Sequence, residues 1–174
     1  MAPAGTTLDE RFAARTPMLA GCSTGTRLHL ESPLPTDDAL GLVPTIEDDV
    51  GVCAVRAVAA SYAAIAGAFD LPILVEAPTW WARTDRLTEA GRDPDSIDEV
   101  VARCVAAVAP LRTVGGLVHV GAPLGPSTDG YRAGAVDPGA AEAYHRRHVE
   151  ALASTPVEFL SAATFSTTDD LAAA

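Results

Sequence analysis

The alternation of strand-like and helix-like segments is the feature that most limits what this chain can fold into. Four short, mostly apolar runs have the length of strands, and they lie at 18–21, 71–76, 116–120 and 157–163. Between them, apolar residues recur at three- and four-residue spacing, which predicts helices at 48–69, at 96–111 and after Asp137. Strands separated by helices form parallel sheets with right-handed crossovers, so we expect a parallel α/β fold.

Local features of these segments support the same order. The run at 71–76 is apolar up to its last residue, which is typical of parallel strands that are buried on both faces. Asp48 and Asp49 suit a helix N-terminus, because the helix dipole favours negative charge there. Asp137 and Pro138 are a favourable N-cap and a favourable first helical residue, so they predict where the third helix begins.

The pattern ends with a fourth strand and the beginning of a helix at 167–169. A complete eight-stranded barrel takes about 250 residues, whereas this chain has 174. We therefore expect truncation after the fourth strand, with residues 1–16 as a flexible N-terminal arm and residues 17–174 as a partial domain. The alternative is an unrelated, complete four-stranded α/β domain.

Charge and cysteine usage argue against several classes of function. The formal net charge is −11, and so acidic a surface disfavours nucleic acid and anionic membranes. The chain contains no lysine, which excludes a lysine Schiff base and a P-loop lysine. Arg56, Asp70 and Pro72 interrupt the longest apolar stretch, which argues against a membrane span. Without a signal-like N-terminus or disulfide spacing, we expect a cytoplasmic protein with reduced thiols.

Four segments, in this order and spacing, resemble the homocysteine S-methyltransferase family. They are LAGCSTGT at 19–26, VEAPTWWA at 75–82, GPSTDGY at 125–131 and AEAYHRRHVEAL at 141–152. The resemblance covers residues 17–174, which correspond to about the first half of the family's barrel. It implies a TIM-type (β/α)8 barrel that is truncated after strand 4.

The resemblance also implies a function. Members of the family move a methyl group to the thiol of homocysteine and so form methionine. In complete members, a zinc ion held by cysteines binds the sulfur as thiolate, which is the nucleophilic form. The substrate lies at the carboxyl ends of the strands, and the candidate substrate-binding residues there are Thr24, Gly25, Glu76, Thr79, Trp80, Asp129, Tyr131 and Thr164.

The sequence departs from the family pattern at the residues that carry the chemistry. The zinc cysteines belong to the second half of the barrel, and Cys22, Cys53 and Cys104 do not replace them. The family's strand-1 aspartate aligns with Gly21, and Ala163 stands where a strand-4 glutamate is common. We therefore expect no metal ligands and no zinc in this chain, assign no catalytic residue, and expect a transferase that is incomplete or inactive alone.

A non-catalytic role is the alternative function. A degenerate half-barrel can bind a small molecule or dimerise, because its strand edges and apolar inner face need to be covered. The expected partners are a small amino-acid thiol and either a second copy of this chain or a complementing C-terminal half.

Some candidates also have a purely structural interpretation. Glu76 is either a substrate ligand or a strand-end charge that pairs with an arginine such as Arg83. The segment 129–131 is either a ligand loop or a simple turn. His145 and His148 are spaced to share a helix face and bind a metal. A solvated helix face with one histidine at the edge of the core is the expected interpretation of this pair.

Overall fold

The fold is built on four parallel strands that lie side by side in chain order. The computed structural model describes residues 6–21, 23–32, 34, 36–113, 117–128 and 130–174. The strands are β1 (Leu19–Ala20), β2 (Ile73–Glu76), β3 (Val118–Leu124) and β4 (Leu160–Ala162). Parallel strands in sequential order with intervening helices are the arrangement of the first half of a (β/α)8 barrel, so the predicted fold class is confirmed.

Helices connect and cover the strands. In the described residues they are α1 (Leu8–Ala13), α2 (Thr24–Glu31), α3 (Asp49–Ala68), α4 (Thr84–Glu89), α5 (Ile97–Val108), α6 (Pro138–Ala153) and α7 (Thr168–Ala173). Short 3-10 turns lie at Val43–Glu47, Pro94–Ser96 and Ala109–Thr113. Helix α3 packs against α5, α5 against α6, and α6 against α7, so successive crossover helices form one layer.

The predicted helix caps of α3 and α6 are confirmed. The carboxylate of Asp48 accepts a hydrogen bond of 2.8 Å from the backbone N–H of Gly51. The carboxylate of Asp137 accepts one of 2.7 Å from Ala140. Each satisfies a donor that has no partner inside its helix, and this fixes where the helix begins.

The two faces of strand β2 are buried to different extents. Ile73 and Val75 are buried and belong to the apolar core that the sheet shares with its helices. Leu74 and Glu76, on the opposite face, are half-buried. In the ladder with β3, Leu74 pairs with His119. The core therefore lies between the sheet and its helices, and the other face carries the polar groups.

The segment predicted to be a flexible arm contains helix α1. Thr7 and Glu10 form a capping box, in which each side chain binds the backbone N–H of the other residue. Leu8 is buried, which ties the helix to the rest of the chain. The prediction for residues 6–16 was therefore wrong, because the polar composition concealed a Thr-x-x-Glu signal for a helix start.

Two boundaries also differ from the predictions. Helix α2 begins at Thr24, soon after β1, where no helix was predicted. Strand β3 continues to Leu124, four residues beyond its predicted end at residue 120, and every residue of β3 is buried. Its pairing with β4 at Ala122, Pro123 and Leu124 supplies the hydrogen bonds that local sequence did not predict.

Helix α3 is long and apolar enough to cross a membrane by length and composition alone, and it is the one such helix in the described residues. Its residues Val55, Ala59 and Ala66 are buried in the core, and the helix contacts β2 and α5. This packing is that of a core helix in a globular domain.

Candidate functional site

A cleft lies at the carboxyl ends of the four strands. It encloses about 440 Å³, and each strand contributes to its wall. Gly21 follows β1, Glu76 ends β2, Pro123 lies near the end of β3, and Ala163 follows β4. Binding sites of (β/α) barrels form at this end of the strands, so the cleft is the candidate functional site.

Six of the predicted substrate-binding residues line this cleft: Thr24, Gly25, Glu76, Trp80, Tyr131 and Thr164. Thr79 does not line it. Its side chain is fully buried, and its hydroxyl donates a hydrogen bond of 3.0 Å to the carbonyl of Pro123. Thr79 therefore joins the loop after β2 to strand β3. Asp129 and Cys22 lie outside the described residues.

Glu76 is the carboxylate that the cleft presents to a ligand. Its Oε1 accepts a hydrogen bond from the hydroxyl of Ser161 on β4. In the described part of the chain Glu76 forms no ion pair, because Arg83 binds Asp85 and the carbonyl of Pro126 instead. The half-buried carboxylate is thus available to a cationic group of a ligand.

The two tryptophans form an aromatic wall of the cleft. Their rings meet edge to face with centroids 4.4 Å apart. The indole N–H of Trp80 donates a hydrogen bond of 3.1 Å to the carbonyl of Ala163 after β4. The guanidinium of Arg86 lies over the ring of Trp81 at 4.7 Å from its centroid. These contacts fix both rings in position, so the wall is preformed.

The cleft also contains the N-terminus of α2 and two non-glycine residues with left-handed backbone. Ser23, the N-cap of α2, has φ 56° and makes no capping hydrogen bond with its side chain. Thr164 has φ 63°, which is unusual for a β-branched residue. Such conformations concentrate at binding sites, where surrounding structure holds them. The free N–H groups at the start of α2 favour a negatively charged ligand group.

Sequence reasoning missed the contribution of the loop between α2 and α3. Thr36, Gly41 and Leu42 line the cleft. The loop is ordered by Asp37, whose carboxylate accepts hydrogen bonds from the N–H groups of Ala39 and Leu40 at 2.8 and 2.9 Å. An aspartate four residues before a glycine signals such a turn, but it does not show that the loop folds over a cleft.

Gly41 shows how closely this loop packs on the aromatic wall. It has φ 54°, and a Cβ atom there would lie 2.4 Å from Cδ1 of Trp81. Only glycine combines this backbone conformation with so close an approach.

The two histidines of α6 do not lie on a solvated helix face, so that interpretation was wrong. His145 is 1% exposed and His148 is 3% exposed. The Nε2 atom of His145 lies 2.8 Å from the carboxylate of Asp170 on α7. Neither ring nitrogen of His148 has a hydrogen-bond partner among the described residues. Helix α7 packs against α6, and its Asp170 contacts His145, so this face of α6 is turned toward the protein interior.

The described residues do not fit a zinc site. They contain no group of three or more histidine, cysteine, aspartate or glutamate side chains close enough to hold a metal ion. Cys53 is exposed on the outer helix α3, and Cys104 lies on α5 with its side chain buried in the core. Neither is at the cleft.

Thiol labelling of the native chain should distinguish the two described cysteines. Burial raises the pKa of the Cys104 thiol to about 12, so its reactive thiolate is scarce and inaccessible. We expect Cys53 to react with iodoacetamide within minutes, and Cys104 only after denaturation. Peptide mass spectrometry measures the labelling of each cysteine separately. Rapid labelling of Cys104 in the folded chain would show that α5 does not pack as described.

The fold is similar to solved structures of the homocysteine methyltransferase MmuM from Escherichia coli, in its metallated and its oxidized form. For each, the TM-score is 0.72 at 19% sequence identity. The alignment covers 91% of this chain, and 57% and 56% of those two chains. This chain has the fold of half of a homocysteine methyltransferase barrel.

The resemblance predicted from the sequence motifs is therefore confirmed at the level of the fold. No protein-family model and no curated protein matches the chain. The chain spans little more than half the length of the methyltransferase that it resembles.

Proposed function

We propose that this chain supplies the amino-acid-binding part of an S-methyltransferase site, with homocysteine or a closely related amino-acid thiol as the ligand. The observation that carries the proposal is the cleft itself. Its lining includes the carboxylate of Glu76, which has no arginine partner among the described residues, and the N-terminus of helix α2. Both lie at the strand ends of a methyltransferase-like fold.

The two charges of an amino acid match these two features. The ammonium group suits the carboxylate of Glu76, and the carboxylate suits the free N–H groups at Thr24 and Gly25. Trp80 and Trp81 supply an apolar surface for the side chain of the ligand. In this proposal the chain binds and orients the amino acid, and the groups that activate its thiol come from elsewhere.

The partner is then either a complementing half-barrel or a second copy of the chain. Leu160 on β4 and Leu171 on α7 are 41% and 48% exposed, and β4 has no strand on its outer side among the described residues. Natural sheets cover such edges. We propose that the assembled protein acts in the cytoplasm, in methionine formation.

Glu76→Gln should weaken homocysteine binding selectively. Losing a charge-assisted hydrogen bond costs about 1.5–3 kcal/mol, which corresponds to roughly a tenfold to hundredfold rise in Kd. Isothermal titration calorimetry of the full chain measures this Kd. The probe 4-mercaptobutanoate lacks the ammonium group, and its Kd should not change in the variant.

Glu99→Gln is the matched control, since Glu99 is an exposed side chain on α5 that pairs with Arg103. It should bind homocysteine as the parent chain does. If Glu76→Gln leaves the Kd of homocysteine unchanged, Glu76 does not hold the ammonium group. If the parent chain binds neither probe, the amino-acid proposal fails.

The second candidate function is a non-catalytic half-barrel that binds a small molecule or dimerises. The absence of a metal-ligand cluster from the described residues favours it. The test is methyl transfer from S-methylmethionine to homocysteine by the full chain with added zinc. Turnover proportional to the chain concentration would reject this candidate, because a half-barrel without a catalytic role transfers no methyl group.

A further inference from the structure

We propose that Asp170 is a positioning residue for the cleft. From α7 its carboxylate binds Ser127 in the loop 125–131, whose residue Tyr131 lines the cleft. The carboxylate itself does not line the cleft. Its effect on ligand affinity rests on the proposed function, and its effect on the loop does not.

The carboxylate of Asp170 is fully buried and both of its oxygens are occupied. Oδ1 lies 2.8 Å from Nε2 of His145 on α6. Oδ2 accepts a hydrogen bond of 2.9 Å from the backbone N–H of Ser127 in the loop. One side chain thus joins helix α7, helix α6 and the loop after β3.

The position of Asp170 in α7 is itself fixed. Its backbone N–H donates a hydrogen bond of 3.3 Å to the hydroxyl of Thr167, the N-cap of α7. Asp170 is the third residue of the helix, where a carboxylate often reaches back to the cap. Here the carboxylate of Asp170 contacts His145 and Ser127 instead. It therefore connects the first turn of α7 to the loop after β3.

Gly130 and Tyr131 follow Ser127 closely in the sequence. Gly130 packs so closely on Thr164, two residues after β4, that a Cβ atom there would lie 2.7 Å from the carbonyl oxygen of Thr164. Tyr131, the next residue, lines the cleft together with Thr164. A shift of the loop at Ser127 would therefore move both of these lining residues.

Two further hydrogen bonds hold the loop at Pro126. Pro126 is held through its carbonyl by Arg83 at 2.6 Å and by the hydroxyl of Tyr144 at 3.2 Å. These bonds fix the loop where it leaves β3, whereas Asp170 fixes it one residue closer to Tyr131. Burial opposes ionisation of Asp170, but hydrogen bonds from His145 and Ser127 outweigh it and hold its pKa below the usual value.

The test compares Asp170→Asn with Asp169→Asn in the full chain. Asp169 is the exposed neighbour on the same helix, so it is a matched control. Hydrogen exchange should be at least tenfold faster in the loop 125–131 of Asp170→Asn, while amides of β2 and β3 keep their parent rates. The Kd of homocysteine should rise fivefold or more. Asp169→Asn should change neither quantity.

Asp170→Glu is the second variant, because it retains the charge if Asp170→Asn fails to fold. Its longer side chain should also accelerate exchange in the loop, by a smaller factor. Parent-like loop exchange in a folded variant overturns the proposal, as does exchange that accelerates equally throughout the sheet. If the parent chain binds no homocysteine but the loop exchange responds as expected, the proposed ligand is wrong and the positioning role stands.

Discussion

Gly51→Ala is expected to lower the free energy of unfolding by about 3 kcal/mol or more, the upper end of the range for overpacked cores. Gly51 lies in the first turn of α3, where a Cβ atom would be 1.6 Å from the carbonyl oxygen of Thr45. The obstacle is backbone, so no rotamer change relieves it. The same residue donates to the Asp48 cap, so a shift of the helix also breaks that bond. Chemical denaturation at pH 7 measures the change.

Gly67→Ala is the matched control in the same helix. A Cβ atom at Gly67 meets nothing within 4 Å. Alanine is the better helix former, so this substitution should raise the free energy of unfolding by about 0.5–1 kcal/mol. If both glycine variants have the same stability, the close contact between α3 and the 3-10 turn at Val43–Glu47 does not exist.

His148 should make the stability of the chain depend on pH between about 6.5 and 4. Burial, and then the positive charge of Arg83 and the neighbouring His145, lower the pKa of His148 to about 4. In this window the unfolded chain takes up a proton that the folded chain does not, so stability falls as the pH falls. The full loss across the window is about 3 kcal/mol.

His148→Leu should abolish this dependence. Neither ring nitrogen of His148 has a hydrogen-bond partner among the described residues, so an apolar side chain of similar size loses no bond. Denaturation curves at pH 7, 6, 5 and 4.5 should show the variant more stable than the parent chain at pH 5. A parent-like slope in the variant would assign the dependence to other groups.

His145→Leu provides the contrast on the same helix. It removes the partner of the buried Asp170 carboxylate, and an unpaired buried charge typically costs about 3–5 kcal/mol. We therefore expect this variant to be strongly destabilised at pH 7, where His148→Leu is not. Two buried histidines three residues apart thus have opposite expected effects.

Local signals in the sequence were sufficient for the framework of the fold. Apolar spacing and the caps Asp48 and Asp137 predicted α3 and α6, because a helix is built from contacts three and four residues apart. Apolar runs predicted all four strands, because parallel strands that are buried on both faces are apolar along their length. The placement of Thr24 and Glu76 at the carboxyl ends of strands was also predictable, since parallel strands bring these ends to one edge.

Only the tertiary structure decided which polar groups meet. Asp170 contacts His145 and Ser127, and Thr79 turns away from the cleft to bind Pro123. These partners are separated by 25 to 44 residues, so no local period or motif encodes them. The sequence by itself determined a parallel α/β framework and the end of the strands at which the cleft lies. Packing between distant loops decided the wall of the cleft, because a buried polar group takes whichever partner the fold brings within reach.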